Sequence, residues 1–377
     1  MRAESGGEKP RLLQFVNSFH LGGTEGQVLE LLRGLRDRWS VEAAAVHLEG
    51  PHLASVRALG LEPLPVPLGG SFAGRQTVSQ IARLARWLED ESIELVHAHD
   101  FYTALLAVPA ARMAHAKVVV GRLDLSHWLT LPQRVALAAA THAADGVIAN
   151  ARAIRRQIGA QEQLGEARVE VIPNGIDLES FDRARAAGLR EPLPPLEGRV
   201  VIAHVANMTH PVKAQELLFE AMELLVARRP EVALLLVGDG PRRPMLEGLV
   251  AGAKLGGHVF FLGRRPDVPA ILARCDLGVL CSQAEGLSNA IIEGLAAGLP
   301  MVVTAAGGNA ELVDDGRSGF VVPVGSAGAL AARLETLVDS RSLRLGMGRA
   351  GRQFVERELV LARLLERHDA FYRRVLG

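Results

Sequence analysis

The sequence has little of what marks several common classes of protein. Only two of its 377 residues are cysteines, Cys275 and Cys281, and neither has zinc-like companions. This excludes a disulfide scaffold and indicates a reducing compartment. Aromatic residues make up 4% of the chain, the formal net charge is zero, and no basic run carries interleaved aromatics. These properties argue against a nucleic-acid partner.

Long apolar runs are also missing. No stretch reaches the roughly 18 apolar residues that a membrane-spanning helix needs. The first residues, MRAESGGEKPR, lack the apolar core of a signal peptide. We therefore expect a cytoplasmic protein, and peripheral contact with the inner face of the membrane stays open.

What the sequence does contain is an alternation of short apolar runs and longer amphipathic stretches. Two series of runs predict strands, at residues 12–16, 41–46, 95–97, 118–120, 147–149 and 169–172, and then at 200–205, 233–237, 259–262, 277–280 and 301–304. Apolar strands that alternate with helices indicate parallel sheets covered on both faces. The length also exceeds what one ordinary core supports. We predict an α/β protein with two doubly wound, Rossmann-like parallel-sheet domains.

A proline-rich break separates the two series of strands. Residues 186–198 read AAGLREPLPPLEG, which predicts a linker. The predicted organisation is an N-terminal domain over residues 1–185, the linker over 186–198 and a C-terminal domain over 199–360. A terminal helix over 361–377 is expected to pack back on the first domain. Doubly wound sheets bind ligands at the carboxyl ends of their strands, so we expect the two domains to face a cleft.

The most informative segment is CSQAEGLSNAIIEGLAAGLP, residues 281–300. A buried strand is predicted just before it and a helix from about Leu287. Glu285 then lies in the connecting loop and Glu293 more than one turn inside the helix. Because the amides at a helix N-terminus favour anions, two carboxylates around that point suit a ligand with hydroxyls at both ends and phosphates between. A nucleotide-sugar has that layout.

Further motifs follow other predicted strands. Gly22 and Gly23 form a glycine-rich turn before a helix, and Thr24 to Gln27 fits a capping box. Lys213 follows the first strand of the second domain. The glycines of GDGP, Gly238 and Gly240, resemble half of a dinucleotide fingerprint, but the third glycine is missing, which argues against a nicotinamide site.

The segment HAHD ends a strand of the first domain and places His97, His99 and Asp100 together. His97 and His99 point to the same face of the strand, so a metal pair is conceivable. However, no further ligand cluster is evident, and the chain has no D-x-D triplet of the type that holds a divalent ion on a diphosphate. We favour the alternative in which one histidine packs in the core and the other reaches the cleft.

In their order and spacing these motifs resemble the family 4 retaining glycosyltransferases of the GT-B fold. The resemblance covers the chain from about Leu12 to Phe371. It rests on the E-x7-E pair and on GGTE at 22–25, PNGID at 173–177, GDGP at 238–241, FLGRRPDVPAIL at 261–272 and GGNAELVDDGRSGFVVP at 307–323.

The resemblance implies roles for individual residues. Glu293 is expected to hold the ribose hydroxyls of the nucleotide, and Glu285 to contact the transferred sugar. Lys213 is expected to neutralise the departing diphosphate. The remaining expected substrate contacts are glycines and backbone amides: Gly22, Gly23, Gly238, Gly286, Leu287, Ser288 and Asn289. The implied donor is a UDP- or GDP-sugar used as a substrate. No metal or other cofactor is expected, because Lys213 and the helix N-terminus act where a metal otherwise would.

Two departures from the family pattern leave parts of the site open. Many members have an arginine shortly before the lysine, whereas this chain has Asn207 and His210 there, and His210 is a candidate substitute. Many also have a histidine just after the strand at 118–120, where this chain reads GRLDLSHW. Arg122, Asp124 and His127 are candidates for that position, and His99 is another candidate for the acceptor-side catalytic residue.

The sequence therefore predicts a metal-independent, retaining glycosyltransferase with a glycan, lipid-linked or small-molecule acceptor. Acceptor choice is expected to depend on the loops at residues 69–74 and 123–131. A non-hydrolysing nucleotide-sugar epimerase and a catalytically silent nucleotide-sugar-binding protein remain as alternatives.

Overall fold

The protein is described by a computed structural model that covers residues 9–69, 74–126 and 128–377. The start of the chain, the centre of the predicted acceptor loop (residues 70–73) and His127 lie outside the described residues. The chain divides into two compact units. Unit 1 runs to Asn174 and includes Ala362–Gly377, and unit 2 is Gly175–Leu361.

Unit 1 is built on a parallel sheet with the order β3-β2-β1-β4-β5-β6-β7 in its described part. The strands are β1 (Arg11–Val16), β2 (Ser40–Ala45), β3 (Leu64–Pro65), β4 (Leu95–Ala98), β5 (Lys117–Arg122), β6 (Gly146–Ala149) and β7 (Val169–Val171). The helices are α1 (Gly23–Gly34), α2 (His52–Ala58), α3 (Arg75–Asp90), α4 (Phe101–Met113), α5 (Leu131–Ala143) and α6 (Arg152–Glu162). Strand order reverses between β1 and β4, which is where such sheets bind ligands.

Unit 2 repeats this architecture with the order β10-β9-β8-β11-β12-β13. Its strands are β8 (Val200–Val205), β9 (Val232–Val237), β10 (Val259–Gly263), β11 (Leu277–Leu280), β12 (Met301–Thr304) and β13 (Gly319–Val322). Its helices are α7 (Leu178–Ala186), α8 (Gln215–Val226), α9 (Arg243–Gly252), α10 (Val268–Leu272), α11 (Asn289–Ala296), α12 (Asn309–Leu312), α13 (Ala327–Asp339) and α14 (Arg341–Glu358). The reversal of strand order lies between β8 and β11. The prediction of two doubly wound parallel-sheet domains is confirmed.

The division between the units falls after Asn174, before the proline-rich segment that the sequence suggests as a linker. That segment packs on unit 2. Leu189, Leu193 and Leu196 lie against a small apolar cluster of unit 2. Asp267 also accepts a hydrogen bond from the backbone of Arg190 at 2.6 Å. These leucines are partly buried, so the segment is packed on the rest of unit 2 although its prolines suggest an exposed linker.

The last helix, α15 (Leu361–Leu376), belongs to unit 1 apart from its first residue. Tyr372 is fully buried, and its ring meets Trp39 edge to face with ring centres 5.7 Å apart. The indole of Trp39 donates to Asp369 at 2.8 Å. Gly146 allows the helix to approach β6, because a Cβ at that position would lie 2.7 Å from the ring of Phe371.

Two local predictions differ from the structure. Helix α1 is capped by Gly22, so Thr24 lies inside its first turn and the predicted capping box is wrong. Strands β3 and β13, both at sheet edges, are absent from the predicted series. Across the described ranges, every helix is too short or too polar to cross a bilayer.

Candidate active site

In unit 2 the loops after β8 and β11 lie side by side, because these two strands are neighbours in the sheet. The loop after β8 ends in a 3₁₀ turn, Pro211–Lys213. The loop after β11 contains Glu285 and leads into α11. Gln283 donates its backbone N–H to the carbonyl of Val212 at 2.8 Å, which ties the two loops together. The sequence prediction that these segments form one site is consistent with this geometry.

The centre of this site is an ion pair between Lys213 and Glu285. Lys213 Nζ lies 2.5 Å from Glu285 Oε1, and the side chains are 20% and 13% exposed. The hydroxyl of Ser282 donates to the same carboxylate oxygen at 2.6 Å. The buried thiol of Cys281 donates to the carbonyls of Lys213 and Ala214, which fixes the turn that carries the lysine. A cation and an anion are therefore held together where the loop after β8 meets the loop after β11.

Glu293 lies one turn into α11, as predicted, and it has a different environment from Glu285. Among the described residues its carboxyl has no hydrogen-bond or ion-pair partner, and desolvation raises its pKa to about 7. A carboxyl that is desolvated and lacks a charged partner is suited to accept hydrogen bonds from a ligand. The two glutamates are thus distinct: one is held by a lysine and the other is open to a polyhydroxylated ligand.

The N-terminus of α11 is the predicted diphosphate contact. Ser288 is the N-cap residue, and its side chain makes no capping hydrogen bond. Gly286 accepts a hydrogen bond from the amide of Gly308 at 2.8 Å, which anchors the loop on the segment after β12. Leu287 and Ser288 are buried. First-turn amides of a helix lack intrahelical partners and favour anions, and Asn289 is the first helical residue here.

The glycines of GDGP have a clear structural reason. Gly238 has φ of +137°, and a Cβ there would lie 2.0 Å from the carbonyl oxygen of Ala206. A Cβ on Gly240 would lie 2.4 Å from the carbonyl carbon of Met208. These glycines allow the loop after β9 to pack on the loop after β8. The structure thus explains Gly238 by close backbone approach, and its role as a substrate contact stays a prediction.

Asn207 and His210, the residues that replace the family's arginine, are exposed in the loop after β8. The backbone carbonyl of Asn207 accepts a hydrogen bond from the side chain of Gln215 at 3.1 Å. Exposure leaves both side chains open to a ligand. Their contact with phosphate stays a prediction.

Unit 1 contains a second candidate site, a cavity of about 220 Å³ at its own reversal of strand order. The loops after β1, β4 and β5 line it, and its polar side chains include Glu25, His99, Asp100, Arg122 and Asp124. Gly22 caps α1 beside this cavity, and a Cβ there would lie 2.1 Å from a carboxylate oxygen of Glu25. Gly22 and the helix that begins at Gly23 thus shape the edge of the cavity.

His99 lies in the wall of this cavity, and His97 lies in the core. That one of them reaches a cleft between the domains stays a prediction. His99 Nε2 is 2.5 Å from the amide oxygen of Gln14, and burial lowers the pKa of His99 to about 3. His97 Nδ1 hydrogen-bonds the hydroxyl of Tyr372 at 2.7 Å. Both rings are therefore neutral at physiological pH. Outside the undescribed residues, no group of three or more potential metal ligands is present.

The structure separates the roles of the candidates after β5. Arg122 is buried and pairs with Glu162 at 2.7 Å, so its charge is already neutralised. Asp124 is exposed and accepts hydrogen bonds from the amide of Ser126 at 2.7 Å and the indole of Trp128 at 3.0 Å. The third candidate, His127, lies outside the described residues.

Two residues of these sites, His204 and Glu25, were not among the residues that the sequence suggested for a functional role. His204 on β8 is buried near Lys213, and desolvation lowers its pKa to about 4. Glu25 belongs to the GGTE motif, but only the structure places its carboxyl at the cavity, where burial raises its pKa.

Comparisons with known proteins agree with this architecture. Residues 21–180 match the family model for glycosyltransferase family 4, and residues 199–340 match the model for group 1 glycosyl transferases. A phosphatidyl-myo-inositol mannosyltransferase from Mycolicibacterium smegmatis is 29% identical over 334 residues, which are 86% of this chain and 83% of that protein.

Solved structures show the same fold. The Anabaena protein HepE in complex with UDP has a TM-score of 0.83 at 20% identity and covers 97% of this chain and 100% of its own. A glycosyltransferase from Rickettsia africae also has a TM-score of 0.83, at 19% identity, with 98% and 100% covered.

The two Rossmann-like units and the matched domains define a glycosyltransferase with the GT-B fold. The chain belongs to glycosyltransferase family 4, as its motifs predicted.

Proposed function

We propose that this protein is a retaining, metal-independent glycosyltransferase that moves a sugar from a UDP- or GDP-sugar to an acceptor hydroxyl. The observation that carries the proposal is the arrangement in unit 2. A lysine–carboxylate pair, Lys213 and Glu285, adjoins the loop that begins α11. One turn into this helix, the carboxyl of Glu293 has no charged partner among the residues that the structure describes.

Each part of a nucleotide-sugar has a partner in this arrangement. Glu293 accepts hydrogen bonds from the ribose hydroxyls, and the amides at residues 286–289 bind the diphosphate. Glu285 contacts the hydroxyls of the transferred sugar, which requires that the sugar compete with Lys213 for this carboxylate. The complex of the Anabaena neighbour with UDP and the mannosyltransferase name of the mycobacterial relative support a nucleotide-sugar donor.

The transfer breaks the bond between the sugar C1 and the phosphate oxygen, and the bonding electrons leave with the diphosphate. The acceptor hydroxyl oxygen forms the new bond to C1 on the same face, and its proton passes to the departing phosphate. Negative charge grows on the diphosphate during this step. Lys213 and the α11 N-terminus are positioned to stabilise that charge, which is the interaction that lowers the barrier.

The same two features support transfer without a metal. A divalent ion on a diphosphate is commonly held by a D-x-D triplet, and the sequence has none. The Lys213 ammonium and the helix dipole supply positive charge at the corresponding place. We propose that no further cofactor takes part.

We place the acceptor in the cavity of unit 1, with His99 and Asp124 as its candidate catalytic contacts. His99 lies in the cavity wall and is neutral, so one ring nitrogen is able to accept a hydrogen bond from an acceptor hydroxyl. Asp124 is exposed at the same cavity. Cytoplasmic location and contact with the inner face of the membrane stay predictions.

The proposal is tested first by thermal shift of the full-length protein with UDP, GDP, ADP and their sugar conjugates. We expect a uridine or guanosine diphosphate to raise the melting temperature, and Glu293→Ala to abolish this rise. A protein that no nucleotide stabilises would contradict the proposal.

The alternatives give different products from the donor that this screen identifies. An epimerase converts the nucleotide-sugar when no acceptor is present, whereas a transferase releases nucleoside diphosphate in proportion to the glycoside formed. A silent binding protein shows the thermal shift but no turnover with any acceptor.

A further inference from the structure

The cavity of unit 1 has a marked charge bias. Three of its carboxyl groups belong to Glu25, Asp100 and Asp124. Of the described residues that line it, only Arg122 carries a positive charge, and Glu162 neutralises that charge at 2.7 Å. His99 adds none, because it is buried and neutral. An anion that entered this cavity would therefore meet carboxylates without an available cation.

The same cavity has a rigid aromatic wall. The ring of Trp128 stacks on Tyr102 with centres 6.3 Å apart and meets Phe101 edge to face at 6.1 Å. Its indole N–H is fixed by Asp124, and 47% of the residue remains exposed. An exposed and fixed indole offers a surface for the C–H face of a sugar ring and for a cation.

Resting on the proposed transferase function, we propose that this cavity selects the acceptor by charge. The cavity binds a sugar ring that has no anionic group. It prefers an amino sugar over the corresponding neutral sugar, and it rejects a sugar that carries a phosphate or a carboxylate. Carboxylates accept hydrogen bonds from hydroxyls and pair with an ammonium group, while Trp128 covers the apolar face of the ring.

The hydrogen bonds of Asp100 indicate that this carboxylate does more than hold the local fold. Asp100 caps α4 through a hydrogen bond from the amide of Thr103 at 3.0 Å, but only one of its oxygens is used in that bond. Within the described part of the chain its other oxygen, Oδ2, is buried without a hydrogen-bond partner. A buried acceptor without a partner is costly unless a ligand satisfies it. An ammonium or hydroxyl donor from the acceptor sugar satisfies it, whereas a phosphate does not.

The test uses four glucose derivatives that carry different charges: methyl glucoside, methyl glucosaminide, methyl glucuronide and glucose 6-phosphate. Binding to the full-length protein is measured by the fluorescence change of Trp128, with Trp128→Phe as the check that the signal comes from this cavity. At low ionic strength we expect the amine to bind most tightly and both anions to bind at least about tenfold more weakly than the neutral sugar. Added salt should reduce these differences in affinity, because it screens the charges.

Variants that remove single charges test whether the discrimination between charged and neutral sugars arises in this cavity. Asp124→Asn and Glu25→Gln each remove one negative charge, and we expect each to reduce the preference against glucuronide severalfold. Glu89→Gln removes the same charge from an exposed position on α3 of the same unit and should leave the preference unchanged. An anion that binds as tightly as the neutral sugar, or a protein that binds none of the four ligands, overturns the proposal.

These outcomes are separate from those of the proposed function. Nucleotide binding is measured on its own by thermal shift. A protein that binds nucleotide and prefers anionic sugars keeps the transferase proposal and loses the charge selection. A protein that shows the predicted ranking without any nucleotide binding does the reverse.

Discussion

At the scale of single residues, Lys213 is the side chain on which the proposed chemistry depends most. Lys213→Ala removes the ammonium that opposes the charge on the leaving diphosphate. We expect turnover at saturating donor to fall about 10²- to 10³-fold, the effect of losing one preorganised charge contact. The measurement is steady-state kinetics with the donor found by thermal shift. Lys254→Gln, which removes the same charge from an exposed position after α9, should keep wild-type turnover.

Glu293 makes nucleotide affinity depend on pH. Desolvation raises its pKa to about 7, and hydrogen bonds from ribose hydroxyls favour the ionised form. The pKa therefore falls on binding, and the bound state holds fewer protons. Affinity should rise with pH up to about 7 and level off above it, with a slope of at most tenfold per pH unit. Calorimetric titration at several pH values measures this, and Glu293→Gln should flatten the profile. The same slope in the variant would exclude Glu293.

The sequence identified the E-x7-E pair and the lysine, because each follows a strand in a recognisable order. It could not show that Lys213 and Glu285 contact each other at 2.5 Å, since they are 72 positions apart in the chain. Nor could it show that Arg122 is neutralised by Glu162, because that partner comes from the end of α6. Side-chain pairing across elements depends on packing, which local patterns do not contain.

At the scale of elements, the buried ion pair of Arg265 and Asp267 holds the proline-rich segment on unit 2. Arg265 donates to both oxygens of Asp267 at 2.8 and 2.6 Å, and it also donates to the carbonyl of Glu191. The side chains are 3% and 4% exposed. Asp267→Ala leaves a buried guanidinium without its partner, so we expect a loss of about 3–5 kcal/mol in the free energy of unfolding of unit 2.

Urea denaturation measures this loss. Glu247→Gln is the matched control, since it breaks an exposed pair with Arg243 and should change stability by less than about 1 kcal/mol. The hydrogen bonds from Arg265 hold the pKa of Asp267 well below its usual range. The stabilisation is therefore present above the unfolded-state pKa of about 4 and is lost as pH falls below that value. Equal stability of Asp267→Ala and wild type would contradict this account.

The elements that the sequence predicted best are the buried ones. Strands β8, β11 and β12 have the predicted bounds, because continuous apolar runs mark them. The missed edge strands carry residues that usually indicate turns. β3 ends in Pro65, and β13 begins with Gly319, where a Cβ would lie 1.9 Å from the carbonyl oxygen of Met301. Glycine is required there for close approach to β12. Because glycine is unusual inside strands, its presence weakens the sequence signal for β13.

At the scale of the whole molecule, α15 is the segment that returns to unit 1 after the chain has formed unit 2. Tyr372→Ala removes a fully buried ring from between Trp39 and His97, so we expect a loss of about 3–5 kcal/mol in the stability of unit 1. Tyr372→Phe keeps the ring and loses the hydroxyl contacts with His97 and Gln14, which should cost about 1–2 kcal/mol. Urea unfolding measured separately for the two units tests this. If Tyr372→Ala left the stability of unit 1 unchanged, it would contradict the role of α15 in stabilising that unit.

The fold class and the family could be predicted because the motif order spans both units. The division of the chain could not, since the prolines of residues 186–198 indicate a linker while their neighbouring leucines pack on unit 2. For acceptor choice, the sequence indicated only one of the loops that line the cavity of unit 1, residues 123–131, because the loops after β1, β4 and β5 form that cavity together.

The most direct test of the central claim is time-resolved NMR of the full-length protein with its preferred nucleotide-sugar and an uncharged sugar acceptor, in the presence of EDTA. The proposed function predicts a new glycoside with the anomeric configuration of the donor, formed together with an equal amount of nucleoside diphosphate. A product of inverted configuration, loss of transfer in EDTA, or an epimerised donor with no glycoside would contradict it.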